Sequence, residues 1–193
     1  TRVYLDKPVA RATIEAILDA ARWAPSGVNC QPWQVAVVTG TIKARIGDEL
    51  LAARQAKQPE NPDYAYYPKD WQEPYKSRRK ATGLALYHAL NIGKDDAFAR
   101  IKAWNNNYRF FGAPVGLLFF VDRALAQGAW VDMGMFIQNV MLAARGHGLE
   151  TCPQASLAEY PDIVRGILTI PATRALVCGM ALGYADASAP VNS

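Results

Sequence analysis

Histidine and cysteine, the residues most often used for metal binding and nucleophilic catalysis, are scarce in this sequence. It holds two histidines, His88 and His147, far apart, and three widely spaced cysteines, Cys30, Cys152 and Cys178. No CxxC pair occurs, so neither a zinc knuckle nor a thioredoxin-type redox pair is indicated. We therefore predict no metal site. The few unpaired cysteines are typical of a protein of the reducing cytoplasm.

Long hydrophobic runs and a strong excess of one charge are absent as well. The longest apolar run, residues 113–121, ends at Asp122 and is far shorter than the roughly 20 residues that a membrane span needs. The net charge is +4, and the one basic cluster, Lys76 to Lys80, is typical of a solvated helix face. These features favour neither a membrane nor a nucleic-acid partner. With 51% hydrophobic residues among 193, the chain can fold around a core of its own.

The hydrophobic pattern predicts an α+β or mixed three-layer fold in a single domain spanning residues 1–193. Apolar residues spaced as in an amphipathic helix occur from about residue 10 to Pro25. Short apolar runs at 33–39, which is also β-branched, at 114–121 and at 176–182 predict buried strands. Further helices are expected at about 41–58, 76–90, 95–108, 130–145 and 157–168, and a short strand at 149–152. Residues 59–75, rich in proline and aromatics, have no period and predict an ordered excursion from the domain.

The familiar catalytic motifs are missing. GxGxxG, the Walker A sequence, GxSxG and HExxH do not occur, so no side chain is marked as a nucleophile. If the protein is an enzyme, a bound cofactor is expected to carry the chemistry. Three polar segments could hold one: Arg2 with the loop 25–33, the segment 105–109, and the segment 151–156. Each also has a plain structural interpretation, namely a turn, a helix end and a helix N-cap.

These same segments resemble the FMN-dependent nitroreductase family in order and spacing. The matching stretches are TRVYLDKPV, IEAILDAARWAPSGVNCQPWQVAVVTG, NNYRFFGAPVGLLFFVD and WVDMGMFIQNVMLAARGHGLETCPQASL. The resemblance covers nearly the whole sequence, and APSGVNCQPW is its most specific part. It implies a three-layer α-β-α fold with a mixed, mainly antiparallel sheet, in an intertwined homodimer with FMN at the subunit interface.

The resemblance also implies roles for individual residues. Arg2 would contact the flavin ring or its phosphate tail, and Pro25, Ser26 and Gly27 would reach the FMN of the neighbouring subunit, with Asn29 and Gln31 in the same motif. Asn106, or Asn107 in a register shifted by one residue, would hydrogen-bond the isoalloxazine. Pro153, Gln154 and Ala155 would form a loop over the ring, with the Ala155 N–H facing flavin N5; no side chain is assigned a catalytic role.

Two parts of the family pattern are not seen in the sequence. The first arginine and serine of the family's R-S-x-R motif would precede Thr1, and the basic residues that grip the FMN phosphate would follow Ser193. The resemblance therefore predicts that these 193 residues belong to a longer chain.

By the same resemblance, NAD(P)H would reduce the flavin, and a nitroaromatic or quinone would then take the electrons in a ping-pong cycle. Aromatic side chains of the excursion and the following helices would select flat, bulky acceptors such as dinitroaromatics by stacking. The positions singled out as substrate contacts are Trp71, His88, Phe98 and Trp104. The alternatives are another flavin reaction on the same fold (dehalogenation, azole dehydrogenation or flavin fragmentation) and a flavin-binding dimer without turnover.

Overall fold

A four-stranded sheet forms the middle layer of the molecule in the computed structural model, which describes all residues 1–193. The strands are β1 (Gln34–Thr39), β2 (Val115–Asp122), β3 (Glu150–Gln154) and β4 (Arg174–Gly183). Their spatial order is β1-β2-β4-β3, and every neighbouring pair is antiparallel. The buried strands therefore lie where the β-branched and aromatic runs of the sequence predict them.

The chain forms six α-helices. They are α1 (Arg11–Ala21), α2 (Gly40–Gln55), α3 (Tyr75–Ala89), α4 (Ala97–Asn105), α5 (Gly128–Gly146) and α6 (Pro161–Leu168). Helix α1 buries Ile14, Ile17 and Ala21 on one face, which is the helical spacing visible in the sequence. No helix is long and apolar enough to cross a membrane.

The central strand β2 packs against helices on both faces of the sheet, which makes the fold a three-layer α-β-α arrangement. Its alternate residues Leu117 and Phe119 pack with α1 and α5, whereas Leu118 and Phe120 pack with α2 and α6. Side chains of a strand point alternately to opposite faces, so a strand covered on both sides must be apolar throughout. This explains why residues 115–121 are all buried.

The helix expected at 157–168 is interrupted. Residues Ala155–Ala158 form a 3₁₀ turn, and α6 begins only at Pro161, which occupies its first turn. Proline fits the first turn because it has no N–H to leave unpaired, but it cannot continue a preceding helix. The break leaves residues 155–160 in a 3₁₀ turn and a bend between β3 and α6.

Candidate functional site

A cavity of ≈ 510 Å³ opens beside the turn that follows β3. Its walls come from this turn, from residues 60–67 of the excursion, from α3 and α4, from the turn after α4, and from the N-terminal residues. The residues that line it are Arg2, Val3, Glu60, Pro62, Tyr64, Ala65, Tyr66, Tyr67, Leu86, Tyr87, Leu90, Ala103, Trp104, Asn106, Asn107, Phe111, Pro153, Gln154, Ala155, Ser156, Ala158 and Glu159. A largely apolar cavity of this size with a few polar groups is typical of a cofactor or substrate site.

The end of β3 and the turn that follows it carry two buried side chains, each with a polar atom that lacks a hydrogen-bond partner. Gln154 is 3% exposed, and its Nε2 donates a hydrogen bond to the Asn107 carbonyl at 2.6 Å. The Oε1 atom of Gln154 accepts no hydrogen bond. The Ser156 hydroxyl is also buried and has no hydrogen-bond partner. Leaving a buried polar atom unpaired is unfavourable, so both atoms are suited to contact a polar ligand in the cavity.

The turn after α4 brings an aromatic ring to the cavity through an unusual backbone. Phe110, Phe111 and Gly112 have positive φ angles of 52°, 51° and 79°. Phenylalanine rarely adopts this left-handed conformation, which stores strain and is often found at functional sites. As a result the Phe110 side chain is fully buried in the core, whereas Phe111 faces the cavity.

Arg2 lies at the edge of the cavity with its guanidinium 5.8 Å from the centre of the Phe111 ring. Its backbone N–H donates to the Asn192 side chain at 2.8 Å, and Asn192 in turn donates to the Val3 carbonyl at 2.7 Å. Hydrogen bonds thus connect residues 2–3 to Asn192, and they position the Arg2 guanidinium beside the cavity. Nothing local in the sequence marks Asn192 for this role.

The excursion supplies an aromatic wall. Tyr64, Tyr66 and Tyr67 line the cavity, and the Tyr64 hydroxyl donates to the Val177 carbonyl of β4 at 2.6 Å. The Tyr64 ring also packs on Trp130, with the ring centres 4.5 Å apart. Burial raises the pKa of Tyr64 and of Tyr66, so both phenols stay neutral at physiological pH.

The carboxyl group of Glu159 lines the same cavity and contacts both a hydroxyl group and a cation. The carboxylate of Glu159 accepts a hydrogen bond from the buried Tyr108 hydroxyl and lies 3.9 Å from an Arg54 nitrogen. Burial and the nearby Glu60 raise the pKa of Glu159, while Tyr108 and Arg54 act in the opposite direction. The net effect is a raised pKa, which is typical of carboxyl groups at functional sites.

Of the residues named from the sequence as FMN contacts, six lie together in this cavity. They are Arg2, Asn106, Asn107, Pro153, Gln154 and Ala155. The other five, Pro25, Ser26, Gly27, Asn29 and Gln31, lie outside it on the loop between α1 and β1. In that loop Val28, Asn29 and Gln31 have positive φ angles, and the Gly27 N–H donates to the buried Asp132 of α5 at 3.1 Å. The loop is therefore held in shape by α5 without reaching the cavity of its own chain.

Of the positions named as substrate contacts, only Trp104 lines the cavity. Trp71 packs behind the wall, with its ring centre 5.6 Å from that of Tyr67, and Phe98 on α4 is 79% exposed. His88 is exposed, and the neighbouring Tyr87 is the residue of α3 that faces the cavity. Glu60, Tyr87, Phe111 and Glu159 were not identified from the sequence. A helical projection of α3 that placed Leu86 and Leu90 inward could have located Tyr87.

Comparison with known proteins gives one consistent result. The model of the nitroreductase family matches residues 1–184. The chain belongs to the nitroreductase family. It is 40% identical to a 4-nitrobenzoate reductase of Pseudomonas putida over 100% of this chain and 84% of that protein.

Two solved nitroreductases have the same fold. The FMN- and NADPH-dependent nitroreductase NfnB from Sphigopyxis sp. strain HMH superposes with a TM-score of 0.96 at 42% identity, covering 100% of this chain and 86% of that one. The FMN-dependent NfnB from Mycobacterium smegmatis, solved in complex with NADPH, gives a TM-score of 0.92 at 35% identity, covering 99% and 85%. The family and the three-layer α+β fold expected from the sequence are thereby confirmed.

Proposed function

We propose that this chain is an FMN-dependent oxidoreductase that reduces nitroaromatic compounds, and quinones, with NAD(P)H. The observation that carries the proposal is the pair of unpartnered buried polar atoms, Gln154 Oε1 and Ser156 Oγ, in the wall of an aromatic cavity of a nitroreductase. The relatives' own dependence on FMN and NADPH supports the same cofactors here.

The residues of the cavity fit FMN. An isoalloxazine presents a flat ring with an edge of alternating donors and acceptors. Gln154 Oε1 can accept from a ring N–H, and the Ser156 hydroxyl can donate to a ring acceptor. We assign Arg2, Asn106, Asn107 and the turn Pro153–Ala155 to hold the cofactor, with the Ala155 N–H toward N5. Bound FMN would supply hydride transfer between NAD(P)H and the acceptor.

The protein's own contribution is binding, orientation and electrostatics. The tyrosine wall and Trp104 can stack a flat acceptor and exclude water from it. The cation of Arg2 stabilises negative charge that develops beside it during reduction. In the first two-electron step the nitro group takes one hydride equivalent from NAD(P)H and one proton from the solvent, becomes a nitroso group, and releases one water molecule. In the second step the nitroso group takes another hydride equivalent and another proton and becomes a hydroxylamine.

We further propose that the active unit is a homodimer of single-domain chains in the cytoplasm. Several large apolar side chains are exposed on α3, α4 and α5, among them Leu84 at 55%, Ile101 at 60% and Val131 at 65%. In the proposed dimer, a second copy of the chain would cover such side chains. A second copy would also explain why the loop 25–31 has a fixed conformation without contacting the cavity of its own chain. In the dimer the loop would contact the cavity of the neighbouring subunit.

The test is turnover by the purified protein reconstituted with FMN. NADPH oxidation should depend on an added neutral acceptor such as 4-nitrotoluene, and chromatography should detect the hydroxylamine or amine derived from it. Sedimentation velocity on the same sample should give a mass of two chains. Binding of FMN without any acceptor-dependent NADPH or NADH oxidation would contradict the enzymatic proposal and favour the flavin-binding dimer.

A further inference from the structure

Two carboxylates of the cavity wall, those of Glu60 and Glu159, belong to segments that the fold holds side by side. The Asn61 N–H, next in the chain to Glu60, donates a hydrogen bond to the Glu159 carbonyl at 3.1 Å. Both glutamates line the cavity, beside the aromatic wall formed by Tyr64, Tyr66 and Tyr67. The wall that faces an acceptor is therefore aromatic and acidic at once.

The charges around these carboxylates do not cancel within the cavity. An Arg54 nitrogen lies 3.9 Å from the Glu159 carboxylate, but Arg54 is not one of the residues that line the cavity. Glu60 forms no ion pair. Arg2 is the one cation among the lining residues, and it lies against Phe111 on the side assigned to FMN.

The rest of the wall cannot compensate, because its tyrosine side chains carry no positive charge in any protonation state. Apolar and aromatic surroundings lower the local dielectric and strengthen the effect of a charge on a bound molecule. An anionic acceptor bound at this wall would lose part of its hydration and gain no counter-ion there. A neutral ring would stack without that penalty, and a cationic substituent would find a carboxylate and an aromatic face.

We propose that Glu60 and Glu159 make the site select acceptors by charge, favouring neutral and cationic nitroaromatics over anionic ones such as nitrobenzoates. The proposal rests on the nitroreductase function proposed above and adds a substrate class to it. The proposal predicts an acceptor preference different from that of the two 4-nitrobenzoate reductases among its relatives. The two glutamates are specificity-determining residues, and neither is asked to transfer a proton.

The test compares three acceptors of similar size: 4-nitrotoluene, 4-nitrobenzoate and (4-nitrobenzyl)trimethylammonium. With the FMN-loaded enzyme and saturating NADPH at low salt, we expect kcat/KM for 4-nitrotoluene to exceed that for 4-nitrobenzoate about tenfold or more, a difference of about 1.4 kcal/mol or more. The cation should be used at least as well as 4-nitrotoluene. Raising the ionic strength should narrow the preference, because salt screens a partly exposed charge.

The variants Glu60→Gln and Glu159→Gln should each reduce the ratio of 4-nitrotoluene to 4-nitrobenzoate several-fold. Glu60 is exposed, so E60Q should fold even if loss of the Glu159 contact to Tyr108 disturbs E159Q. Glu15→Gln on α1 is the matched control, because it removes the same charge from an exposed pair with Arg11 outside the cavity. Its ratio should equal that of the wild type.

A wild-type ratio near one, or a ratio in E60Q equal to that of the wild type, would overturn the proposal. Dissociation constants of the same three compounds, measured by quenching of protein fluorescence, give a second readout that does not need turnover. If none of the acceptors is reduced, the proposed function fails, and the order of these constants still supports or overturns selection by charge.

Discussion

The carboxylate of Asp63 accepts hydrogen bonds from both terminal nitrogens of Arg165, at 2.6 and 3.2 Å, and both side chains are buried. The Leu176 N–H donates to the same carboxylate at 2.7 Å. These bonds join the excursion to α6 and β4 immediately before Tyr64, the first tyrosine of the cavity wall. The buried pair therefore fixes the position of a wall that has no helix or strand of its own.

Replacing Asp63 by asparagine should destabilise the protein strongly, because the buried Arg165 charge then keeps only the largely exposed carboxylate of Asp162 as a counter-ion. Breaking a buried ion pair on one side costs about 3–5 kcal/mol. Asp19→Asn is the control, since it removes the carboxylate of an exposed i,i+3 pair with Arg22 and should cost less than about 1 kcal/mol. Urea unfolding of the three proteins measures the difference. Equal stability of D63N and D19N would show that the pair does not hold the wall.

The contribution of Asp63 should depend on pH. Burial raises its pKa, but the hydrogen bonds from Arg165, Leu176 and Arg123 outweigh this effect, and the net pKa is lowered. A lowered pKa in the folded state stabilises the protein above the unfolded-state value of about 3.9, and this stability is lost as pH falls through the folded-state pKa. The stability difference between wild type and D63N should thus be constant from about pH 5 to 8 and shrink below about pH 4. A difference that grew on acidification would contradict this assignment.

Gly179 should not tolerate a side chain, because it faces the turn that carries the unpartnered Ser156. A Cβ at this position would overlap Leu157, whose own Cβ and Cγ would lie within 3.0 and 3.1 Å. Overpacking of this kind costs about 1–3 kcal/mol. Gly166→Ala, in an exposed part of α6 with open space around it, should instead stabilise the protein by about 0.5–1 kcal/mol. Thermal unfolding of both variants gives the comparison, and a stabilised G179A would contradict the packing described here.

Gln154 should contribute to cofactor affinity as well as to the shape of the turn. Gln154→Ala removes the unpartnered Oε1 and the hydrogen bond to the Asn107 carbonyl. Loss of one hydrogen bond to a ligand and of one supporting bond predicts FMN binding weaker by about tenfold, or about 1.4 kcal/mol. Titration of FMN fluorescence measures this change. Gln72→Ala, in an exposed position outside the cavity, should bind FMN as the wild type does, and equal affinity of Q154A would contradict the assignment.

The hydrophobic pattern predicts most of the fold but only part of the cavity. Helix α1 and strand β2 follow from local periodicity, because burial on one face or on two leaves a direct trace in the sequence. The left-handed backbone of Phe110 and Phe111 leaves none, since phenylalanine has no preference for positive φ and tertiary packing imposes it. The proximity of Glu60 and Glu159 at the cavity wall also depends on the tertiary fold, because the two residues lie on segments far apart in the chain.

The polar motifs and the aromatic positions differ in how well the sequence located them. Asn106, Asn107 and Gln154 could be named because the family resemblance covers their motifs, and the structure places them at one cavity. Residue type alone points to Trp71 and Phe98, and residue type does not indicate which side chains of a segment face the cavity. The loop 25–31 is a third case, since its proposed role requires a second chain.

The most direct test of the account is the absorption spectrum of the FMN-loaded protein under nitrogen during stepwise addition of NADPH and then of 4-nitrotoluene. The account predicts that NADPH bleaches the flavin band in the absence of acceptor and that 4-nitrotoluene restores it. A band that NADPH and NADH leave unchanged, or one that is bleached and does not return with any nitroaromatic or quinone, would contradict it.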